Sequence, residues 1–171
     1  MAASPLTVYK LITLYLLSQI EEPLSAARIS DFILENGYTN YLSLNQAFSE
    51  LSESGLISLE SRGSRTFFRL TKDGEETLQF FEEDLNSEIR DQCRAFLHSN
   101  SVQIRADADT TAEYRRTDTG NYEVHMTVME RLDPVIDVTL SVPDESMART
   151  MTENWQEKSQ EIYAQIMATL L

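Results

Sequence analysis

The sequence predicts an α+β protein with an N-terminal part of three helices and a β-hairpin, a long connector helix, and a C-terminal three-stranded antiparallel meander covered by a long helix. Three observations lead to this prediction. Apolar residues recur at helical spacing through the first 54 residues. Apolar and polar residues alternate between residues 102 and 142, as in a sheet with one wet face. From residue 143 onward the helical spacing returns. We therefore divide the chain at 1–70, 71–99 and 100–171.

The first helix is predicted to begin at Ser4-Pro5, where a capping hydroxyl precedes a proline suited to the first helical position. The run Leu6–Ile20 is apolar on nearly every side, so we expect it to be covered on two faces. One cover would be its own domain, and the other either the C-terminal part or a second chain. A second helix follows the capping residue Ser25 and stops at Asn36-Gly37.

A third helix and a hairpin follow. Ser43 is predicted to cap this helix and Gly55 to end it in a left-handed conformation. The helix buries one stripe of apolar residues, which comprises Leu44, Ala47, Phe48 and Leu51. After Gly55 the period drops to two, and a turn around Gly63 joins two short strands. Thr71 then caps the next helix.

That next helix, the connector, is predicted to run from Thr71 to about His98, although Asn86-Ser87 could divide it into two helices. Its apolar residues recur at steps of three and four, which is typical of a helix seam. The seam fits packing within the chain or contact between two copies. The candidate dimerisation residues are Leu78, Phe81, Leu85, Ile89 and Phe96.

The C-terminal part is predicted to be an antiparallel meander of strands near 102–115, 122–129 and 136–142. Pairing Arg115 with Glu123 sets a register in which opposite charges meet on one face and apolar residues on the other. The same register places Glu113 opposite His125. It also places Asp107 opposite Arg131. A helix from Pro143-Asp144 covers the dry face through an apolar stripe, which comprises Met147, Met151, Trp155, Ile162, Tyr163, Ile166, Met167 and Leu170.

Helix, hairpin and helix in this order resemble the recognition helix and wing of a winged helix-turn-helix domain. The segments LTVYKLITLYLL, ISDFILENGYTNYLSLNQAFSELSESGLI and NWQEKSQEIYAQIM resemble an uncharacterised two-part bacterial family with an N-terminal winged helix. The segment Arg65–Gly74 is similar to the strand-then-helix passage of phenolic-acid-type and multiple-antibiotic-resistance-type repressors. The resemblance implies a transcriptional regulator that dimerises outside the winged helix. It implies no catalytic residue.

The charge is unevenly distributed. The net charge is −14. Residues 1–70 carry 5 basic and 7 acidic residues, a net of −2, whereas residues 71–171 carry a net of −12. A nucleic-acid binder needs lysines and arginines to displace the counterions of phosphates. Three of the five N-terminal basic residues lie in the hairpin, so the wing is the only local positive patch.

Three functional hypotheses follow. The first is a dimeric DNA-binding transcriptional regulator whose C-terminal part dimerises or senses a ligand. In it the third helix enters the major groove, while arginines of the wing and other basic side chains contact phosphates. The second is a winged-helix module for protein contact, which Glu50 and Glu53 favour because they repel phosphate. The third is a small-molecule sensor with a pocket near Trp155. The candidate DNA-binding residues are Asn45, Gln46, Ser49, Arg62, Arg65, Arg28 and Lys10.

Other chemistry is not predicted. The sequence has no glycine-rich phosphate loop, no nucleophile elbow and no paired Cys/His set, so we expect neither an enzyme nor a cofactor. His125 beside Glu113 is interpreted as a solvated ion pair, and Cys93 as a small apolar filler of the connector. A single cysteine, the lack of a leader, and an apolar run too short to span a bilayer predict a cytoplasmic protein.

Overall fold

The computed structural model describes residues 7–62 and 65–171 and confirms the α+β class. The contacts divide the chain into two units. The first comprises residues up to Glu60 together with Thr66–Ile104, and the second comprises Ser61–Arg65 together with Arg105–Leu171. The elements are α1 (Val8–Ser18), β1 (Leu24–Ser25), α2 (Ala26–Glu35), α3 (Tyr41–Glu53), β2 (Ile57–Arg62), β3 (Arg65–Leu70), α4 (Lys72–Phe81), a 3-10 turn (Glu82–Asp84), α5 (Ser87–Ser99), α6 (Ser101–Asp109), β4 (Thr110–Arg116), β5 (Tyr122–Glu130), β6 (Asp133–Val142) and α7 (Glu145–Leu170).

The first unit contains the predicted winged helix. Three helices precede the hairpin of β2 and β3, and the short strand β1 adds to β3 in a sheet of order β1-β3-β2. In this pairing Leu24 lies opposite Phe68, and Ser25 lies opposite Phe67. The strand β1 is not predicted from the sequence, because two residues are too few for a period to show.

The core of the first unit forms around α1. All seven residues from Leu11 to Leu17 are buried, which confirms the prediction of a helix covered on opposite faces. Its neighbours are α2, α3, α4 and α5. The second cover therefore comes from the helices that follow the wing, within the same unit.

The helix ends follow the predicted capping chemistry at most positions. Ser25 and Thr71 accept hydrogen bonds from backbone N–H groups three residues on, and Gly55 has a φ of +72°. The predicted cap at Ser43 is wrong. Asn40 caps α3 and accepts from the Ser43 N–H at 2.9 Å, so the helix begins three residues earlier. The predicted cap at Ser4 and the turn at Gly63 lie outside the described residues.

The connector is not one long helix. It is divided into α4 and α5 by the 3-10 turn, which confirms the alternative division at Asn86. The Asn86 side chain accepts from the Ile89 N–H at 2.8 Å and starts α5 as a new helix. An asparagine that binds the backbone ahead of it favours a helix start over a helix interior.

The second unit contains the predicted meander in the order β4-β5-β6. The register is confirmed, since Arg115 pairs with Glu123 and Glu113 with His125. The prediction of a strand from residue 102 is wrong, because residues 101–109 form α6. Asp107 lies in this helix and does not pair with Arg131. Alternating alanines do not distinguish the two structures, since alanine, arginine and glutamine are strong helix formers.

The helix α7 covers the meander, as predicted, and four members of the predicted stripe pack there, namely Met151, Trp155, Ile162 and Tyr163. Asp144 caps it by accepting from the Met147 N–H at 2.9 Å. The Trp155 Nε1–H donates to the Thr127 carbonyl at 3.1 Å. The residues of α7 that are buried are Ala148, Thr152, Trp155 and Ser159. Four members of the predicted stripe are instead exposed, namely Met147, Ile166, Met167 and Leu170. Among the described helices, none is both long enough and apolar enough to cross a membrane.

Candidate interaction surface on α3 and the hairpin

The outward face of α3 is polar and open to solvent. Asn45, Gln46 and Ser49 are exposed, while the opposite stripe is buried in the core of the first unit. The 3.6-residue period places these three side chains on one face. The first three predicted DNA-binding residues therefore share one accessible surface.

A groove of about 400 Å³ lies between α3 and the strands of the hairpin. Its floor contains Phe48 and Phe68, whose ring centroids are 4.9 Å apart. Leu59, on β2, is 54% exposed although it is apolar. Three hydroxyls, one amide and one carboxylate form the polar part of the lining, namely Ser49, Ser52, Thr66, Asn45 and Glu53. The groove thus offers apolar contact area surrounded by hydrogen-bonding groups. We call α3 and this groove the α3 surface.

The α3 surface is uncharged to acidic. The chain contains no lysine or arginine between residues 41 and 60, but three glutamates. The Glu50 carboxylate accepts from the Lys10 ammonium and, at 2.8 Å, from the Gln46 amide. The hydrogen bond from Lys10, followed by that from Gln46, lowers the pKa of Glu50 below its ordinary value. Lys10 and Gln46 are thus both engaged with a carboxylate.

The arginines of the predicted DNA-binding set are also engaged. Arg62 donates from Nη1 to the Ala108 carbonyl at 2.5 Å, and Arg65 Nη2 lies 3.3 Å from Asp107 Oδ1. Both arginines are grouped with the second unit. Arg28 is half-buried on α2. The predicted residues are therefore not presented as one cationic surface.

Two exposed apolar residues at the start of α3 are not among the predicted site residues. Tyr41 is 68% exposed and Leu42 is 79% exposed. The predicted cap at Ser43 places both residues before the helix. Their exposure follows from the cap at Asn40, which makes them the first helical residues. They add exposed apolar area to the α3 surface.

The predicted dimerisation residues pack largely within the first unit. Leu78 and Leu85 are buried in its core, while Phe81, Ile89 and Phe96 are partly buried against the same core. The Phe96 ring lies 4.9 Å from the Phe32 ring, centroid to centroid. A partner at this seam could contact only the three partly buried side chains.

Three further residues discussed from the sequence are paired or packed within their own unit, namely His125, Cys93 and Trp155. His125 Nε2 lies 2.8 Å from Asp137 Oδ1, and Nδ1 lies 3.8 Å from Glu113 Oε1, on the wet face of the meander. Cys93 is buried in the first unit. Trp155 is 2% exposed and packed in the second core, so its ring fills the space in which the sensor hypothesis placed a ligand. Among residues 7–62 and 65–171, no three His, Cys, Asp or Glu side chains are grouped so as to hold a metal ion.

A family model described as a domain of unknown function, DUF4364, matches residues 9–170. The chain belongs to this family. The DUF4364 match includes both units, so the winged helix and the meander with its helix occur together in the family model. No curated protein and no solved structure matches the chain. The DUF4364 description assigns no activity, and the chemistry of the α3 surface therefore has to indicate the function.

Proposed function

We propose that the chain is a winged-helix protein whose α3 surface binds a cationic protein segment, and that it acts as a cytoplasmic regulator. The observation that carries the proposal is the charge of this surface, where α3 contributes Glu50 and Glu53 and no basic residue. The Lys10 ammonium at this surface is already bound to Glu50, so counterion release on a nucleic acid would contribute little here. The same surface attracts lysines and arginines of a protein partner.

The groove supports the binding of a protein segment. Interfaces concentrate their binding energy in apolar side chains that enter well-packed pockets, with polar groups around them. Leu59 and the rings of Phe48 and Phe68 provide such a pocket, and Glu53 lies at its edge. The partner segment would therefore place one apolar side chain in the groove and a basic residue beside Glu53.

A peptide array probed with the full chain tests this proposal. Peptides that combine basic residues with a central leucine or phenylalanine should bind, whereas peptides with only one of the two features should not. The Leu59→Ser substitution should weaken binding about tenfold, since burial of a leucine contributes about 1.5–3 kcal/mol.

Leu132→Ser is the matched control, because Leu132 is also an exposed leucine but lies between β5 and β6. It should leave binding unchanged. Equal binding by the two variants, or the absence of binding to any basic peptide, would overturn the proposal.

A second candidate function is DNA binding by a dimeric transcriptional regulator. The observation that favours it is the exposure of Asn45, Gln46 and Ser49 on the second helix of the helix-turn-helix. Asparagine and glutamine can form paired hydrogen bonds with adenine in the major groove. For this candidate Arg62 and Arg65 would have to exchange their present acceptors for phosphates.

Selection from random duplexes at low salt separates the two candidates. DNA binding predicts an enriched sequence, retention that falls steeply with salt, and loss of preference at one base pair in Asn45→Ala. Asn36→Ala is a matched amide control, because Asn36 is the C-cap of α2. A lack of enrichment at low salt counts against DNA and leaves the protein partner to the peptide array.

A further inference from the structure

The stripe by which α7 packs on the meander continues into the last turns of the helix, where its residues become exposed. The residues of α7 that pack on the meander are spaced by four and three, at Ala148, Thr152, Trp155 and Ser159. The same spacing leads on to Ile162, Ile166 and then Thr169 or Leu170. Ile162 is partly buried, but Ile166 is exposed and Leu170 is 76% exposed. Alternating steps of three and four make one seam along a helix.

This end of α7 also differs in charge from the rest of the chain. Residues 162–171 read IYAQIMATLL and contain no charged side chain, whereas the whole chain has a net charge of −14. Exposed apolar area of this kind marks interaction sites when it is contiguous. A basic partner would find no carboxylate side chain within the segment.

We propose that the end of α7, residues 162–170, pairs with the same segment of a second copy of this chain. At a two-fold axis identical residues face each other, so a charged residue near the axis would meet its own charge. Copies that each carry −14 can approach most closely where the surface has no charge. Gln165, which flanks the seam, carries both a donor and an acceptor in its amide and can therefore bind its own copy.

The size of the segment determines how strong this contact is. Nine helical residues extend about 14 Å, and a helix is about 10 Å wide, so each copy would bury a few hundred square ångströms. Stable interfaces bury about 800 Å² per partner. The pairing is therefore a concentration-dependent equilibrium rather than a permanent dimer.

Analytical ultracentrifugation of the full chain over a wide concentration range tests the proposal. The wild type should shift from monomer to dimer as concentration rises. Ile166→Glu should shift this equilibrium at least tenfold towards monomer, because it places two carboxylates in one apolar contact. Ala168→Glu is the matched control, since it adds the same charge two residues away on the opposite face and should leave the equilibrium nearly unchanged. Circular dichroism checks that α7 still forms in both variants.

The salt dependence provides a second readout. Dimerisation of two anionic copies through an uncharged contact should strengthen as salt screens their repulsion, whereas a contact made by opposite charges should weaken. A wild type that remains monomeric, a dimer that persists equally in Ile166→Glu, or equal shifts in both variants would overturn the proposal. Binding of monomeric wild type to neutral phosphatidylcholine vesicles, lost in Ile166→Glu, would assign the segment to a lipid surface instead and would also overturn it.

Discussion

At the scale of single residues, Gly74 is the position where the fold leaves no room for a side chain. A methyl group there would lie 2.0 Å from the Leu56 carbonyl oxygen and 2.8 Å from Leu70 Cδ1. The Leu56 carbonyl also accepts from the Thr71 N–H at 3.2 Å, so it cannot move away without loss of that bond. Glycine at position 74 is therefore required by the close approach of α4 to the hairpin.

Gly74→Ala should lower the free energy of unfolding by about 1–3 kcal/mol, the usual cost of overpacking. The gain in helix propensity from alanine is smaller than this clash. Chemical denaturation measures the change. Glu76→Ala, two residues on and exposed, should alter stability by less than about 0.5 kcal/mol. Equal effects of the two substitutions would contradict the close approach.

Cys93 should be chemically silent in the folded protein. Its thiol is buried, and burial raises its pKa to about 12, only partly offset by the nearby Arg94 guanidinium. Only the thiolate reacts, so a thiol reagent at pH 8 should modify the native chain negligibly and the unfolded chain fully. Rapid modification of native protein would show that the thiol is accessible.

The same shift predicts a loss of stability at alkaline pH. The folded pKa lies above the ordinary value of 9.0, so the stabilisation is fully present below pH 9 and is lost as pH rises towards 12. Denaturation midpoints of the wild type should therefore fall more steeply over this range than those of Cys93→Ala. Parallel curves would contradict a buried, neutral thiol.

At the scale of elements, the ends of the helices are set by short-range hydrogen bonds. Asn40, Ser25, Thr71, Asn86 and Asp144 each accept from a backbone N–H three residues later. These bonds satisfy donors that a helix leaves unpaired in its first turn. They also explain why the connector divides, since Asn86 begins a helix where a continuous one would have an interior residue.

Asp144→Asn should remove part of the acid sensitivity of α7. Hydrogen bonds from the Ser146 hydroxyl and the Met147 N–H hold the pKa of Asp144 below its ordinary value. Its contribution is therefore present above that ordinary value and is lost as pH falls through the folded pKa. Asparagine keeps an acceptor at the cap but does not titrate. Thermal midpoints measured from neutral to strongly acid pH should converge for wild type and variant at the acid end.

Glu157→Gln is the control for this prediction, because it removes one carboxylate from an exposed position in the middle of the same helix. It should leave the difference between neutral and acid midpoints close to that of the wild type. If Asp144→Asn and Glu157→Gln behave alike, the cap does not account for the acid sensitivity.

At the scale of the whole molecule, the excess of acidic residues dominates. A net charge of −14 destabilises the compact state by self-repulsion, although it favours solubility. The pairs Arg115–Glu123 and Lys10–Glu50 relieve this repulsion only locally. The end of α7 has no charged side chain and is therefore a place where another anionic molecule can approach without meeting like charge.

Moderate salt should stabilise the protein. Screening shortens the range of repulsion to about 10 Å at 0.1 M, so the thermal midpoint at neutral pH should rise between low and physiological ionic strength. At the acid pH where the net charge is close to zero, the same salt should have little effect. A midpoint that falls with salt at neutral pH would show that ion pairs outweigh the repulsion.

The sequence by itself determined the features that depend on neighbours along the chain. The meander register follows from alternation together with charge matching across a short turn, as the pairing of Arg115 with Glu123 illustrates. The caps at Ser25 and Thr71 follow from side chains that bind their own next turn. The exposure of Asn45 and Ser49 follows from the period of the helix that carries them.

The tertiary structure decided whatever depends on residues distant in the chain. The sequence left the seam Leu78–Phe96 open between core and dimer contact, and the structure places Leu78 and Leu85 in the core beside α1. In the structure Lys10 forms an ion pair with Glu50, and Arg65 forms one with Asp107. The charge available to a partner therefore differs from the charge expected from the sequence. A local pattern states which face of an element is apolar or charged. Only the folded chain determines which distant group meets that face, because this contact is set by packing of the whole core.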